Sequence, residues 1–478
     1  MNPNRRLMNF IPTGGLYAFW ISIFTLSVFA FSKYVGQGYI YLLFTIISNA
    51  LLYFGFRKKS IFFDTFIGLF FWLGFWLKLT IRVSFTSGLF HEAVGNFDGT
   101  GAAFDQTLLV SSCGLFGFLT ASFIREKLFF NYPDSPEVAA SKGLFSFYQN
   151  HRWSLLSGFV ALFVIVAVTN AFFGIYQRGV ITQTVLPFGL NGIYKWLLLF
   201  GLASFSALIL KFEFEINKKT SYLVLILGLL ESFASNVSLL SRGMILNAGA
   251  LLYGAFIYIK LNSIKSTTRF FAAIFLIFTI LFGSSVLLVN YMRSSALGSG
   301  ALDIEEVHAM TTPLFIDRWV GIEGVMAVTS YPKLGWGLWS EAWKETYSET
   351  ATSFYDKNLI ESPYVNTDKT KHHYISLPGV VAFSFYPGSF AFLFVCMFVL
   401  GAIGALIEIS VFYLGGKNVI LCSLLAQVVA YRFASFGYVP TQTYLLFGTL
   451  FLNLFLIYFT NKFLLFWGKR KHSPPVLL

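Results

Sequence analysis

Runs of about twenty apolar residues recur along this chain and leave few folds open to it. A transmembrane helix needs ~20 mostly apolar residues, because the hydrocarbon core is ~30 Å thick and a helix rises ~1.5 Å per residue. By that measure the sequence offers about twelve candidates, near 14–33, 36–56, 61–80, 106–124, 153–175, 193–211, 220–240, 243–260, 269–290, 383–407, 416–432 and 443–463. In lipid each backbone polar group must find its partner inside the segment, so such runs fold as helices. The expectation is an all-α polytopic membrane protein. The tightest pair is 220–240 and 243–260, with Ser241 and Arg242 alone between the runs.

Composition agrees. Charged residues are 12% of the chain, against about 25% in soluble domains. A net charge of +12 would suggest a nucleic-acid partner for a soluble protein. Here the cations fall in alternate loops, where basic residues orient a membrane chain, and no nucleic acid is expected. Reading "NRR" as inside, the inner loops carry Arg57, Lys58 and Lys59; Arg125, Lys127, Lys142 and Arg152; Lys211, Lys218 and Lys219; Lys260, Lys265 and Arg269; and Lys417, before a basic tail. Removing one span would invert everything downstream, so both termini are placed inside. Cys113, Cys396 and Cys422 lie in apolar runs without CxxC spacing, which predicts neither a disulfide framework nor a zinc site.

Arginine runs against this pattern. Arg82, Arg178, Arg242, Arg293, Arg318 and Arg432 fall at or near the outer face. Guanidinium keeps its charge when desolvated and forks onto carboxylate or phosphate with two parallel bonds. Residues 291–382 form one long outer segment between spans 1–290 and the last three spans and tail, 383–478. It holds half of the 22 acidic residues and is rich in Trp and Tyr. It is expected to fold as short helices over the outer membrane face, with Asp317–Val328 as an interfacial helix.

Each candidate has a plain reading beside the functional one. Arg242, in "SRG", is either a helix-end arginine reaching for headgroups or half of an anion site completed by free backbone N–H groups and by Asn236, Ser238 and Ser241. Arg318 and Glu323 are a solvated pair or, respectively, a phosphate ligand and a base for a sugar hydroxyl. His372 and His373 are interfacial polar residues or a general base. Lys78 and Arg82 share a helix face and anchor the interface beside a Trp72–Trp76 belt, or line the same outer cavity. Arg178 and Arg432 share that plane. No DxD, ExD or HExxH pattern falls in an outer loop, so no obligatory metal is expected.

The span "LGFWLKLTIR", the loop "GNFDGTGAAFDQTL", "LPFGLNGIYKWLLLFGLA", the "SRG" turn and "RWVGIEGVMAV" in one large outer loop resemble Wzy-type O-antigen, or oligosaccharide repeat-unit, polymerases. The resemblance covers most of the chain. It implies a metal-independent glycosyltransferase of the GT-C kind in the bacterial inner membrane, without a cofactor, whose segment 291–382 is a large periplasmic loop. Its substrates would be undecaprenyl-diphosphate-linked oligosaccharides, and a chain-length regulator membrane protein is an implied partner. Loss of a diphosphate calls for positive charge where negative charge grows. Arg242 and Arg318 are the first choices, then Arg82, Arg178 and Arg432, with Glu323 or His373 as the base. An O-antigen ligase shares these features. A flippase for the same lipid-linked sugars, or a non-catalytic assembly protein, also fits about twelve spans.

Overall fold

The computed structural model describes residues 13–90, 92–128, 130–132, 142–220, 222–296, 314–362 and 373–471. Among them all regular backbone is helical and no strand forms, apart from an isolated bridge between Lys219 and Lys265. Ten of the described helices are long and apolar enough to cross a membrane: Gly14–Lys33, Gly38–Gly55, Phe62–Phe85, Gly101–Leu128, Arg152–Phe173, Pro187–Asn217, Arg242–Leu261, Thr268–Arg293, Phe390–Leu414 and Pro440–Trp467. This is the make-up of a multi-pass membrane protein. Ile21 and Phe24 of the first helix are 64% and 69% exposed, an arrangement that suits lipid and not water.

The runs expected at 220–240 and 416–432 form shorter helices, Tyr222–Ser238 and Val419–Ala434, of 17 and 16 residues. At ~1.5 Å per residue they fall a few ångströms short of a ~30 Å hydrocarbon core. The first stops where Leu240 turns to φ 48° and the Ser241 N–H returns to the Asn236 carbonyl at 3.0 Å. A three-residue turn, Arg242–Met244, then feeds straight into Ile245–Leu261.

The chain divides into two compact units. One comprises 1–132, 308–406 and 429–443; the other comprises 133–307, 407–428 and 444–478. Several cations of the expected inner loops tie helices within their own unit. In the first, Arg125 Nη2 meets Asp64 at 2.8 Å and Arg57 Nε meets Glu126 at 3.0 Å. In the second, Arg152 forks onto both oxygens of Glu213 at 2.6 Å.

The centre of the first unit departs from the expected interfacial layer in two ways. Trp72 and Trp76 are buried and stacked, with centroids 5.0 Å apart, so they form no belt. They lie in a π-helical turn, Trp72–Leu77, directly before Lys78. Second, the expected helix over Asp317–Val328 is broken at Arg318–Gly321 and resumes as Ile322–Thr329. Every residue from Ile322 to Val328 is buried. "IEGVMAV" has a single polar side chain, and a helix apolar all round belongs in a core.

Small residues allow that helix in. A Cβ on Gly321 would overlap the Gly74 carbonyl, so two backbones touch there, and one on Gly324 would overlap the Pro378 carbonyl oxygen. Backbone atoms cannot swing aside as a side chain would. Gly324→Ala is therefore expected to destabilise by about 1–3 kcal/mol, read as a lower melting temperature of the detergent-solubilised protein. Gly249→Ala, where a Cβ meets nothing within 4 Å, should leave it unchanged or raise it.

Candidate functional site

In the first unit, the segment around Arg318 is held by two cations from one membrane helix. Lys78 and Arg82 stand four residues apart in Phe62–Phe85, so both reach the same side. Lys78 is 1% exposed. Its Nζ donates to the Asp317 carbonyl at 3.0 Å, the Trp319 carbonyl at 2.5 Å and Glu323 Oε2 at 2.9 Å. An ammonium has three N–H donors, and here all three are used. Glu323 Oε1 also lies 2.8 Å from Nζ, an ion contact without hydrogen-bond geometry. Burial pushes the Glu323 carboxyl up from its ordinary range, and the Lys78 ammonium pulls it back.

Arg82 completes the clamp. Its Nε meets Asp317 Oδ1 at 3.2 Å and its Nη2 meets Oδ2. Arg318 thus sits between two residues whose backbone or side chain is tied to the membrane helix, and its own side chain is half-buried. This corrects three expectations. Lys78 is no interfacial anchor. Arg82 spends its forked edge on Asp317 and holds the turn. Glu323 is buried against Lys78, so its carboxylate neutralises a buried cation where a base would need an open face.

His373 has polar neighbours at both ring nitrogens. Its Nδ1 lies 2.9 Å from the Glu349 carbonyl. A carbonyl accepts only, so Nδ1 carries a hydrogen. Nε2 lies 3.3 Å from the Tyr438 hydroxyl oxygen, and that hydroxyl donates to the Ser348 carbonyl at 3.4 Å. Burial, with Glu345 nearby, pushes the Tyr438 phenol up to about 12. His372 lies outside the described residues. Arg432, half-buried at the end of Val419–Ala434, donates from Nη2 to Thr443 Oγ1 at 3.2 Å.

The second unit contains Arg178 and Arg242. Asn170, fully buried, joins their turns. Its Nδ2 donates to the Tyr176 carbonyl and to Ser238 O and Oγ at 2.9–3.0 Å, and its Oδ1 accepts from the Tyr176 N–H at 2.9 Å. The Arg178 N–H donates to the Leu239 carbonyl at 2.9 Å, and Arg293 Nη2 to the Arg178 carbonyl at 3.1 Å. The small polar groups expected to bind an anion are used by the fold itself. Ser241 Oγ accepts the Gly243 N–H and Asn236 Oδ1 the Met244 N–H, each at 3.2 Å. In the "SRG" turn those backbone groups are therefore spent within the fold.

Three functional partners escaped the sequence reading. Asp317 and Tyr438 carried no motif, and Asn170 sat in an apolar run. For Lys78 the signal was present, since a lysine four residues before an arginine within an apolar run has to be satisfied by something. Among the described residues no group of three or more His, Cys, Asp or Glu is placed to hold a metal ion. Compared with protein-family models, with curated proteins and with solved structures, the chain matches none of them.

The clamp has a measurable consequence. Lys78→Met strands a buried carboxylate and should cost about 3–5 kcal/mol. Lys78→Met with Glu323→Gln should recover most of that. A thermal or denaturant double-mutant cycle on the purified protein reads the coupling, which is near zero if the pair is solvated.

Proposed function

We propose that the chain is a glycosyltransferase of the GT-C kind that joins undecaprenyl-diphosphate-linked oligosaccharide repeat units at the outer face of a bacterial inner membrane, as a Wzy-type polymerase does. The observation that carries this reading is the clamped turn of the first unit. The Lys78 ammonium holds the carbonyls on both sides of Arg318 and the Arg82 guanidinium holds the Asp317 carboxylate, so the backbone that carries this charge is fixed before any ligand arrives. Positioned charge is worth most where negative charge develops, as on a departing diphosphate. In its neutral form His373 keeps its hydrogen on Nδ1 against the Glu349 carbonyl, which leaves Nε2 to serve as the base in the same unit. The sequence resemblance supplies the substrate class.

In this reading Arg318 binds the diphosphate oxygens of the donor. The acceptor hydroxyl displaces Tyr438 from His373 Nε2 and gives up its proton there. Its oxygen then bonds to the anomeric carbon as the bond from that carbon to the diphosphate breaks, and the polyprenyl diphosphate leaves with the electron pair. Arg242 is a separate anion-binding candidate of the second unit, tested by its own variant. Counting Tyr222–Ser238 and Val419–Ala434 as crossings gives twelve, with both termini cytoplasmic and 291–382 periplasmic.

The test is reconstitution of the full chain with undecaprenyl-diphosphate-linked repeat units. A ladder on the polyprenyl diphosphate supports polymerisation. Transfer to lipid A–core makes the protein a ligase, and no transfer to either acceptor removes the enzymatic reading. Arg318→Ala should lower the rate about 10²–10³-fold, with Arg318→Lys between it and the parent. His373→Ala should abolish most of the pH dependence of the rate, whereas Tyr438→Phe should keep it.

A further inference from the structure

One buried acid takes no part in the proposed chemistry. Glu231 lies midway along Tyr222–Ser238 and is 2% exposed. Its Oε1 accepts from Ser235 Oγ at 2.9 Å and its Oε2 from Ser232 Oγ at 3.4 Å. Both hydroxyls belong to its own helix. Among the described residues these two serines are its hydrogen-bond partners and no salt bridge reaches it.

The charges on the helices packed against it lie towards their ends. Lys211, Glu213 and Glu215 occupy the end of Leu202–Asn217, where Lys211 donates to the Gly416 carbonyl and Glu213 pairs with Arg152 of Arg152–Phe173. Lys260 closes Ile245–Leu261, which also carries Tyr253 and Tyr258. Arg269 opens Thr268–Ala296, and Tyr291 and Arg293 lie near its other end. Arg242 stands in the turn beyond Ser238. An ionised carboxylate without a counter-charge is strongly disfavoured in such a place, and an ionisable group inside a span marks a functional site by default.

Hydroxyl and amide groups continue from Glu231 in both directions. Towards the "SRG" turn come Ser235, then Asn236, whose Nδ2 donates to Ser285 Oγ at 2.6 Å, then Ser238, which accepts from Asn170. One turn the other way, Gly228 lets Ser206 close in. The Ser206 hydroxyl is buried without a hydrogen-bond partner. A polar stripe thus runs from the middle of the helix to the turn that bears Arg242.

We propose that Glu231 is a proton-binding site within the membrane-spanning part of the protein, a neutral carboxyl that gives up and regains its proton along the serine stripe of its own helix. The site is independent of glycosyl transfer and can be read without a sugar substrate. The experiment is infrared spectroscopy of the full chain in lipid, titrated with pH, as the difference between the parent and Glu231→Gln. A neutral-carboxyl carbonyl band should be present at about pH 6 and fall at least about tenfold by about pH 10. Ser235→Ala should shift its frequency, because it removes the stronger hydrogen bond. A difference spectrum with carboxylate bands alone at about pH 6 overturns the proposal, as does a neutral band that stays constant to about pH 10. If Glu231→Gln does not accumulate, Glu231→Asp serves in its place, and a shifted band with the same loss at high pH is then the supporting result.

Discussion

The Lys78 ammonium is the constraint from which the first unit is organised. A cation that is 1% exposed must have its charge and all three donors met, or the helix that bears it does not form as it stands. The chain meets this by bringing a distant segment back onto the helix. Two carbonyls and one carboxylate of residues 317–323 close on a single nitrogen, more than two hundred residues away in sequence. The π-helical turn before Lys78 and the backbone contact of Gly74 with Gly321 are the steric conditions for that closure.

This arrangement sorts the arginines expected at the outer face by what each one does. Arg82 and Arg293 act as ties, the first on a carboxylate and the second on the carbonyl of Arg178. Arg318 is held by its neighbours, since Asp317 and Trp319 on either side are bonded to Lys78 and Arg82. A guanidinium that is positioned at its backbone has less freedom to lose when it meets an anion, which is the reason preorganised sites bind well. Arginine suits both duties because it forks and does not neutralise.

The two units solve the problem of buried polarity differently. The first pairs opposite charges, as in Lys78 with Glu323, Arg82 with Asp317 and Arg125 with Asp64. The second also pairs Arg152 with Glu213, but around Tyr222–Ser238 it relies on neutral donors. Asn170, Asn236 and the serines carry the turns, and Glu231 meets hydroxyls alone. Neutral networks cost less to bury than ions and fix direction equally well. They also leave Glu231 as an acid whose charge is not called for by the packing.

The crossing segments were legible in the amino-acid order, because a bilayer imposes its thickness on each run separately and an apolar stretch reports its own length. The ten long helices follow from that local rule, and Tyr222–Ser238 falls short because Leu240 turns the chain early. "IEGVMAV" was expected at the interface and is buried instead, as its lack of a polar face requires. The partners of the charged residues were not legible. Lys78 with Glu323, Arg82 with Asp317 and His373 with Tyr438 are separated by 245, 235 and 65 residues, and the side chain that satisfies a charge leaves no mark at the charge itself. Local hydrophobicity determined which segments become helices. Only the folded packing decided which arginines are ties and which groups meet His373, because those depend on distances between residues that the sequence sets far apart.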